Sequence, residues 1–551
     1  MVSLAADGKA TVQWKTTTPV AGGTIYLGIP TANQQLDYPI YSSSAPIQTE
    51  QPSTEHQVTV DVAAYSKKFA PGYLAAGSGV IFYRLELFDP KRNAIRFIDR
   101  SFRFVKQGDQ FRLGLHIVEG PFVAMTARDR ATLWWKTNQA ASGSVAVQGV
   151  TVQGKQTSSS ANGDLHIVSV TGLQPGQIYE YTVSSRVADD QVTSRRYAFR
   201  TEPADENFVF AFTCDGRTGA LGGGETAVEG INFKSAANLA AGIHAKKAEL
   251  MVFTGDLISG YTTSEDDFRA QLRSWKRAYA PLWHSIPIYT GMGNHESLFD
   301  SYNDAQANQQ IQIDRTGERS AEAVFASEFV NPNNGPEPEA AGLPPYKGAV
   351  YSFDYGNSHF CQLSSDYWYS SNPDQYGGNR SGRLLDGQLR WLEADLKAAR
   401  QRGLKHLFVF VHQPAFPNGG HVQDSLWGGG NPTDTAIRDR FWQIVSDAKV
   451  TAVFSGHEHN YSRTLIDANT PIHKDGTTNS NFKNPVWQVL QGAAGAPFYT
   501  QDNSVPWHSQ VKSFVSPTWA YSIISVRGNQ VMLETYSYTG ELIDRAELSA
   551  A

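Results

Sequence analysis

The chain has 551 residues, of which 40% are hydrophobic and 18% charged, and 53 acidic against 47 basic side chains give it a formal net charge of −6. At about 100–200 residues per domain this length predicts three or four domains, and so much apolar material excludes a disordered chain. A mildly acidic chain with no basic run is a poor binder of nucleic acid phosphates, no apolar stretch approaches the ~20 residues that span a bilayer, and two cysteines, Cys214 and Cys361, exclude both a disulfide-stapled scaffold and a CxxC…CxxC zinc site.

The first segment, MVSLAADGKA, has neither the basic nor the apolar region of a secretory signal, so none is expected here. That leaves open a cytoplasmic chain and one whose leader has been removed. The first 200 residues read as all-β, with short alternating segments bounded by Gly, Pro, Asn and Ser. They contain a repeat: Ala10-Thr11-Val12-Gln13-Trp14-Lys15-Thr16 is echoed by Ala131-Thr132-Leu133-Trp134-Trp135-Lys136-Thr137. Each copy is followed by a small-residue turn and a strand, GGTIYLG or SGSVAVQG, and later by an aromatic strand, VIFYRLEL or IYEYTVSS. Two copies predict tandem sandwiches, placed at residues 1–108 and 109–203. The stretch VTGLQPGQIYEYTV resembles a strand of fibronectin type III domains; the first copy carries an insertion at about 30–75 and resembles them less.

After residue 203 the pattern changes. Unbroken apolar runs (FVFAF, ELMVF, IPIYT, HLFVFV, TAVF) read as buried strands, and SAANLAAGIHAKKA, DDFRAQLRSWKRAYAPLW and DGQLRWLEADLKAARQRG read as helices. This alternation predicts an α/β layered domain over residues 204–551. The β-rich tail from about 485 favours two packed sheets with helices outside, an α/β/β/α sandwich.

Each buried strand runs into polar residues that can bind a metal: Asp215, Asp256, Asn294-His295-Glu296, His412, and His457-Glu458-His459. Ligands of open α/β sheets bind beyond the carboxyl ends of the strands, so these five ends are expected to meet in one crevice. A mixture of imidazole with carboxylate and amide oxygen suits Fe, Zn or Mn better than Ca. A carboxylate bridging two such ions, ~3.5 Å apart, is the geometry of two-metal hydrolysis.

The blocks GDLISGY (255–261), GNHE (293–296), VHQP (411–414) and GHEHNYSR (456–463), with YSFDYGNSHFCQLSSD and WLEADLKAA between them, resemble the calcineurin-like metallophosphoesterases. With the preceding sandwich, residues 109–551 resemble the purple acid phosphatase branch. The resemblance implies a phosphoric ester hydrolase that acts on phosphomonoesters through two divalent or trivalent metal ions (Fe, Zn or Mn) and a metal-bound hydroxide. It implies Asp256 as the bridging carboxylate, Asn294, His412 and His457 on one ion, and Asp215 and His459 on the other. His295 would stand beside the substrate phosphate and His421 on the substrate side. By the same analogy the chain is periplasmic or secreted. The alternatives are a phosphodiesterase on the same site, a binding protein built on a metal-depleted domain, and a surface-binding module in residues 1–203.

Two departures stand out. The family's opening Asp-x-His is here Asp215-Gly216-Arg217, and arginine does not bind metals. Purple acid phosphatases compensate with a tyrosine three residues after the bridging aspartate; that position is Ser259, and the nearest tyrosine is Tyr261. Tyr261 is therefore the candidate ligand of the Asp215 ion, and Arg217 a candidate phosphate clamp, its planar fork matching phosphate oxygens. Glu296 and Glu458 read as groups outside the ligand set. Cys214 is expected to point away from Asp215 by strand alternation, as a buried inert thiol like Cys361. His56, His116, His166 and His508 have no spacing that suggests a site. Gly149-VTVQ-Gly154-Lys155 fits GxxxxGK but lacks the Ser/Thr and the helix of a phosphate-binding loop.

Overall fold

The computed structural model describes residues 1–30, 38–91, 94–148, 150–153, 155–158, 164–218, 227–262, 264–298, 320–370, 372–423, 425–426 and 432–549. Gly149 and Gly154 of the GxxxxGK match lie outside them. The two repeated segments form interior strands, Lys9–Val20 and Arg130–Thr137, of two successive β-sandwiches. In the first, a three-stranded sheet (Val2–Leu4, Lys9–Val20, Ser53–Asp61) faces a five-stranded one that ends with Gln110–Leu113. Val12, Ile25, Val60, Ile81, Leu85 and Phe104 fill the space between. This sandwich also holds a helix, Val62–Phe69, in a region whose pattern reads as β. Asp61 caps it by accepting the Ala64 N–H, a local signal that the short, weakly periodic segment otherwise masks.

In the second sandwich, strand alternation divides two adjacent tryptophans between two cores. Trp135 and Leu133 point into the sandwich, whereas Trp134 points out and packs with Phe122 against Trp283 of the following domain. Beside them Lys136 and Lys276, from different domains, share the Glu328 carboxylate at 2.7 and 2.6 Å, all three buried. Among the described residues no helix is long and apolar enough to cross a membrane.

The remaining chain builds two facing sheets. One runs in the order Ile288–Thr290, Leu250–Phe253, Asn207–Thr213, Ala520–Arg527, Gln530–Ser537, Leu542–Glu547. The other has seven strands, with His406–Phe410 and Ala452–Ser455 parallel at its centre. Phe208, Phe210, Phe212, Phe360, Phe408, Phe410 and Phe454 interlock between them. Helices Phe233–Ala245 and Glu265–Trp283 cover the first sheet, and Asp386–Gln401 and Pro432–Asp447 the second. The result is the α/β/β/α sandwich expected from the strand and helix pattern. The first sheet carries its parallel strands at one end of the order and the second carries them in the middle, and the carboxyl ends of five of these strands bear the candidate residues.

Candidate functional site

The site is assembled from turns that leave those strand ends in unusual conformations. Asp215, Asp256, Tyr261 and His457 all have positive φ, at 63°, 50°, 48° and 66°. Non-glycine residues adopt this region at a cost of order 1–3 kcal/mol, and such outliers gather where geometry serves chemistry. Two glycines make room. A Cβ on Gly293 would lie 2.3 Å from Asp256 Oδ1, and one on Gly456 2.2 Å from Asp215 Oδ2. Glu296 then ties two loops together: it accepts the N–H groups of Asp256 (2.7 Å), Gly293 (2.8 Å) and Ile258 (3.2 Å).

The side chains so held converge in two overlapping groups. In one, His412 Nε2 lies 3.2 Å from both Asp256 Oδ1 and Asn294 Oδ1, and His457 Nδ1 lies 3.0 Å from Asn294 Oδ1. In the other, His459 Nε2 lies 3.5 Å from Asp215 Oδ1, with Asp256 between the groups. Asp256 Oδ2 is buried and accepts no hydrogen bond. A buried carboxylate oxygen with spare acceptor capacity, beside a cluster of imidazole and amide donors, suits a cation, and the donor set of Asp256, Asn294, His412 and His457 fits a divalent one.

The charges agree. Burial on its own would raise the Asp256 pKa, but His412, His295 and Arg217 outweigh it and hold the carboxyl well below the usual range. Burial likewise disfavours a charged His412, yet Asp256 and Asp215 overcome it and push its pKa up to about 10. Two carboxylates here demand positive charge, and without an ion the His412 proton supplies it.

The remaining residues expected at the site are all nearby. His295 stacks on Tyr261 with ring centres 4.0 Å apart, and its Nδ1 lies 2.6 Å from the Ser259 carbonyl, which can only accept. Its Nε2 therefore faces the site, 3.9 Å from Asp256 Oδ2. Burial, with Arg217, brings its pKa down to about 3 despite Asp256. The His421 ring lies 4.0 Å from that of His457. Arg217 places Nη2 3.3 Å from His459 Nε2 and Nε 3.5 Å from Asp256 Oδ2.

Two expectations change. Tyr261 is engaged at the first group: its hydroxyl accepts from Asn294 Nδ2, and the turn after Asp256 lays its ring across His295. Cys214 does not point away from Asp215. The strand ends at Thr213, alternation lapses, and a Cβ on Gly456 would meet both side chains. The thiol donates to the Gly255 carbonyl at 3.0 Å and lies 3.6 Å from His412 Nδ1. Burial and the neighbouring carboxylates push its pKa up, so it stays a thiol.

Sequence reasoning missed Tyr499, which stacks on His459 (4.2 Å) and hydrogen-bonds His421 Nε2 (3.0 Å), and the Pro497 carbonyl, 2.6 Å from His459 Nδ1. The loop carrying both, AAGAPFYT, has no motif; its small residues were the available signal.

Comparison with known proteins accords with this geometry. The family described as calcineurin-like phosphoesterase matches residues 163–461, and a domain of unknown function, DUF7800, matches residues 115–202. The chain is 23% identical over 357 residues to purple acid phosphatase 13 of Arabidopsis thaliana, covering 61% of this chain and 55% of that protein. It is 22% identical over 316 residues to the same plant's "probable inactive purple acid phosphatase 24", covering 55% and 43%. The chain thus spans about half the length of the curated relatives it matches. Among solved structures, purple acid phosphatase PPD1 from yellow lupin (Lupinus luteus) seeds superposes with a TM-score of 0.58 at 14% identity, covering 98% of this chain and 92% of that one, which shows a shared fold. With the family match extending over more than half of its residues, the chain belongs to the calcineurin-like phosphoesterases.

Proposed function

We propose that this chain is a metal-dependent phosphoesterase that hydrolyses phosphomonoesters, with phosphodiesters as the second substrate class. The observation that carries the reading is the convergence of Asp256 Oδ1, Asn294 Oδ1, His412 Nε2 and His457 Nδ1 in one buried cluster. An Fe, Zn or Mn ion bound there supplies Lewis acidity toward a phosphate oxygen and lowers the pKa of a bound water.

The chain's own residues do the rest. Arg217 has a buried Nε–H with no hydrogen-bond partner, 3.5 Å from Asp256 Oδ2, and its guanidinium charge favours a phosphate bound beside it. Ser259 fixes the His295 tautomer, so Nε2 presents its lone pair to the site and becomes a donor to the leaving oxygen only when the negative charge of a bound phosphate raises its lowered pKa. Tyr499 orients His421 toward the substrate side. Tyr261 holds the Asn294 amide so that its Oδ1 faces His412 and His457. Family likeness adds a second ion at Asp215, Asp256 and His459; that position is taken up below.

We also read the second sandwich as fibronectin type III-like. Tyr179 OH accepts the Gln174 N–H at 2.7 Å, a tyrosine tied back to upstream backbone as in such domains. A periplasmic or secreted location rests on family likeness alone.

The test is release of phosphate or nitrophenol by the full chain from p-nitrophenyl phosphate and from bis(p-nitrophenyl) phosphate, with Mn, Zn or Fe. Faster turnover of the monoester supports the first reading, and faster turnover of the diester the second. No turnover of either, with inorganic phosphate still bound, replaces both with a binding protein. Arg217 in one ligand group is the observation that favours that outcome.

A further inference from the structure

The group formed by Asp215, Asp256 and His459 already contains a cation of the chain's own. The Pro497 carbonyl can only accept a hydrogen bond, so His459 Nδ1 carries the ring proton and Nε2 carries the lone pair. Arg217 Nη2, 3.3 Å away, donates into that lone pair. Its Nε is 3.5 Å from Asp256 Oδ2, the oxygen a bridging role would need. A metal at this position would sit ~2.0–2.2 Å from the same imidazole nitrogen and carboxylate oxygens. Guanidinium and metal ion would compete for one lone pair and repel each other at close range.

The arginine is not loosely placed. Nη1 donates to the Thr218 carbonyl at 3.2 Å, the residue forms a β-bridge with Ile231, and its side chain is 11% exposed. The residue before it, Gly216, donates its N–H to the Asp256 carbonyl at 2.8 Å, which ties Arg217 to the bridging aspartate's own turn. Arginine stays protonated at any working pH, so this positive charge is permanent. The hydroxyl of Tyr261, the other candidate ligand for this position, accepts from Asn294 Nδ2. Arg217 meets the first group at the shared Asp256, on Oδ2, whereas Asp256 Oδ1 lies 3.2 Å from His412 Nε2.

Resting on the phosphoesterase reading above, we propose that Arg217 takes the place of the second metal ion. The chain binds a single ion, at Asp256, Asn294, His412 and His457, and supplies the other positive charge from its guanidinium. The Arg217 Nε–H lies beside Asp256 Oδ2 with no hydrogen bond of its own, so the guanidinium charge stands on the opposite oxygen of the carboxylate from His412.

The experiment is metal stoichiometry. The full chain is stripped with a chelator, reloaded with excess Mn²⁺, desalted, and measured by elemental analysis and electron paramagnetic resonance. Wild type is expected to hold about one ion per chain with the spectrum of an isolated ion, and Arg217→His, which restores an imidazole, about two with an exchange-coupled spectrum. Arg217→Ala is expected to follow Arg217→His, and Arg217→Lys, which keeps the charge, to follow wild type. Coupled pairs in wild type would overturn the Arg217 proposal and leave the phosphoesterase reading standing. A single ion in wild type and in every variant would also overturn it, since the arginine would not be what excludes the second ion. No ion in any of them would overturn both.

Discussion

Glu296 offers the sharpest perturbation, because it shapes the site without facing it. Its Oε2 accepts the N–H groups of Asp256 and Gly293, and its Oε1 that of Ile258. Glu296→Gln can keep the two bonds to one oxygen, but its amide NH2 then opposes the Ile258 N–H. Leaving one buried donor unmet costs about 1–3 kcal/mol. The loop relieves this by shifting, and the residues that shift are Asp256 and Asn294. At 1.4 kcal/mol per tenfold, metal affinity should fall by about 5- to 150-fold, the range expected for partners that orient ligands.

A second signature follows from charge. Burial and the Asp256 carboxylate push the Glu296 pKa up to about 8, against the pull of the backbone N–H groups. A cation nearby favours the ionised form, so its binding expels this proton wherever the free site holds it. Affinity therefore gains a pH-dependent contribution that grows as pH rises toward about 8 and levels off above it. Glutamine has no proton to lose, so the slope of log affinity against pH below 8 should drop by about one. His412, whose proton must also leave, contributes the same slope to both proteins. Competition titration of Zn²⁺ against a chelator between pH 6 and 9 measures both effects. A variant whose affinity and pH slope match wild type would refute the reasoning, and with it the view that this carboxylate holds the ligand loops.

Three other substitutions probe separate links. His412→Ala removes a donor that touches both Asp256 and Asn294, and should abolish stoichiometric metal binding while leaving the far-ultraviolet circular dichroism unchanged. His295→Asn should slow alkyl phosphates, which need their leaving oxygen protonated, about 10²-fold or more; p-nitrophenyl phosphate should suffer much less, and equal losses on the two would remove His295 from proton transfer. Glu328→Gln breaks a buried carboxylate shared by Lys276 and Lys136 across the domain junction, and should cost about 3–5 kcal/mol in urea unfolding. Burial opposes the Glu328 charge but the two lysines outweigh it and depress its pKa. The stability it contributes is thus complete above the unfolded value of ~4.3 and lost as pH falls below it; an acid midpoint unmoved by the substitution would contradict this.

Much of this was legible because the buried strands are nearly pure apolar runs. A polar residue at the end of FVFAFT, ELMVFTG or AVFSG had to leave the core at a sheet edge, and order along the chain then collected Asp215, Asp256, Asn294, His412 and His457 in one crevice. The turns themselves were not legible. Positive φ at Asp215, Asp256 and Tyr261 decides where each side chain points, and no periodicity encodes it. That is why Cys214 broke the alternation rule and Tyr261 crossed to Asn294. Tyr499 and the Pro497 carbonyl were invisible for another reason: their loop reaches His459 through tertiary packing, more than 30 residues along the chain. The helix Val62–Phe69 depends on one capping contact from Asp61 that a β-rich neighbourhood conceals.

The central claim is that one ion sits among Asp256, Asn294, His412 and His457. Anomalous diffraction from crystals of the full chain grown with Zn²⁺, recorded on both sides of the zinc edge, tests it most directly. The expected result is a strong peak within bonding distance of those four side chains. Anomalous peaks confined to other parts of the molecule, or none at all, would contradict it.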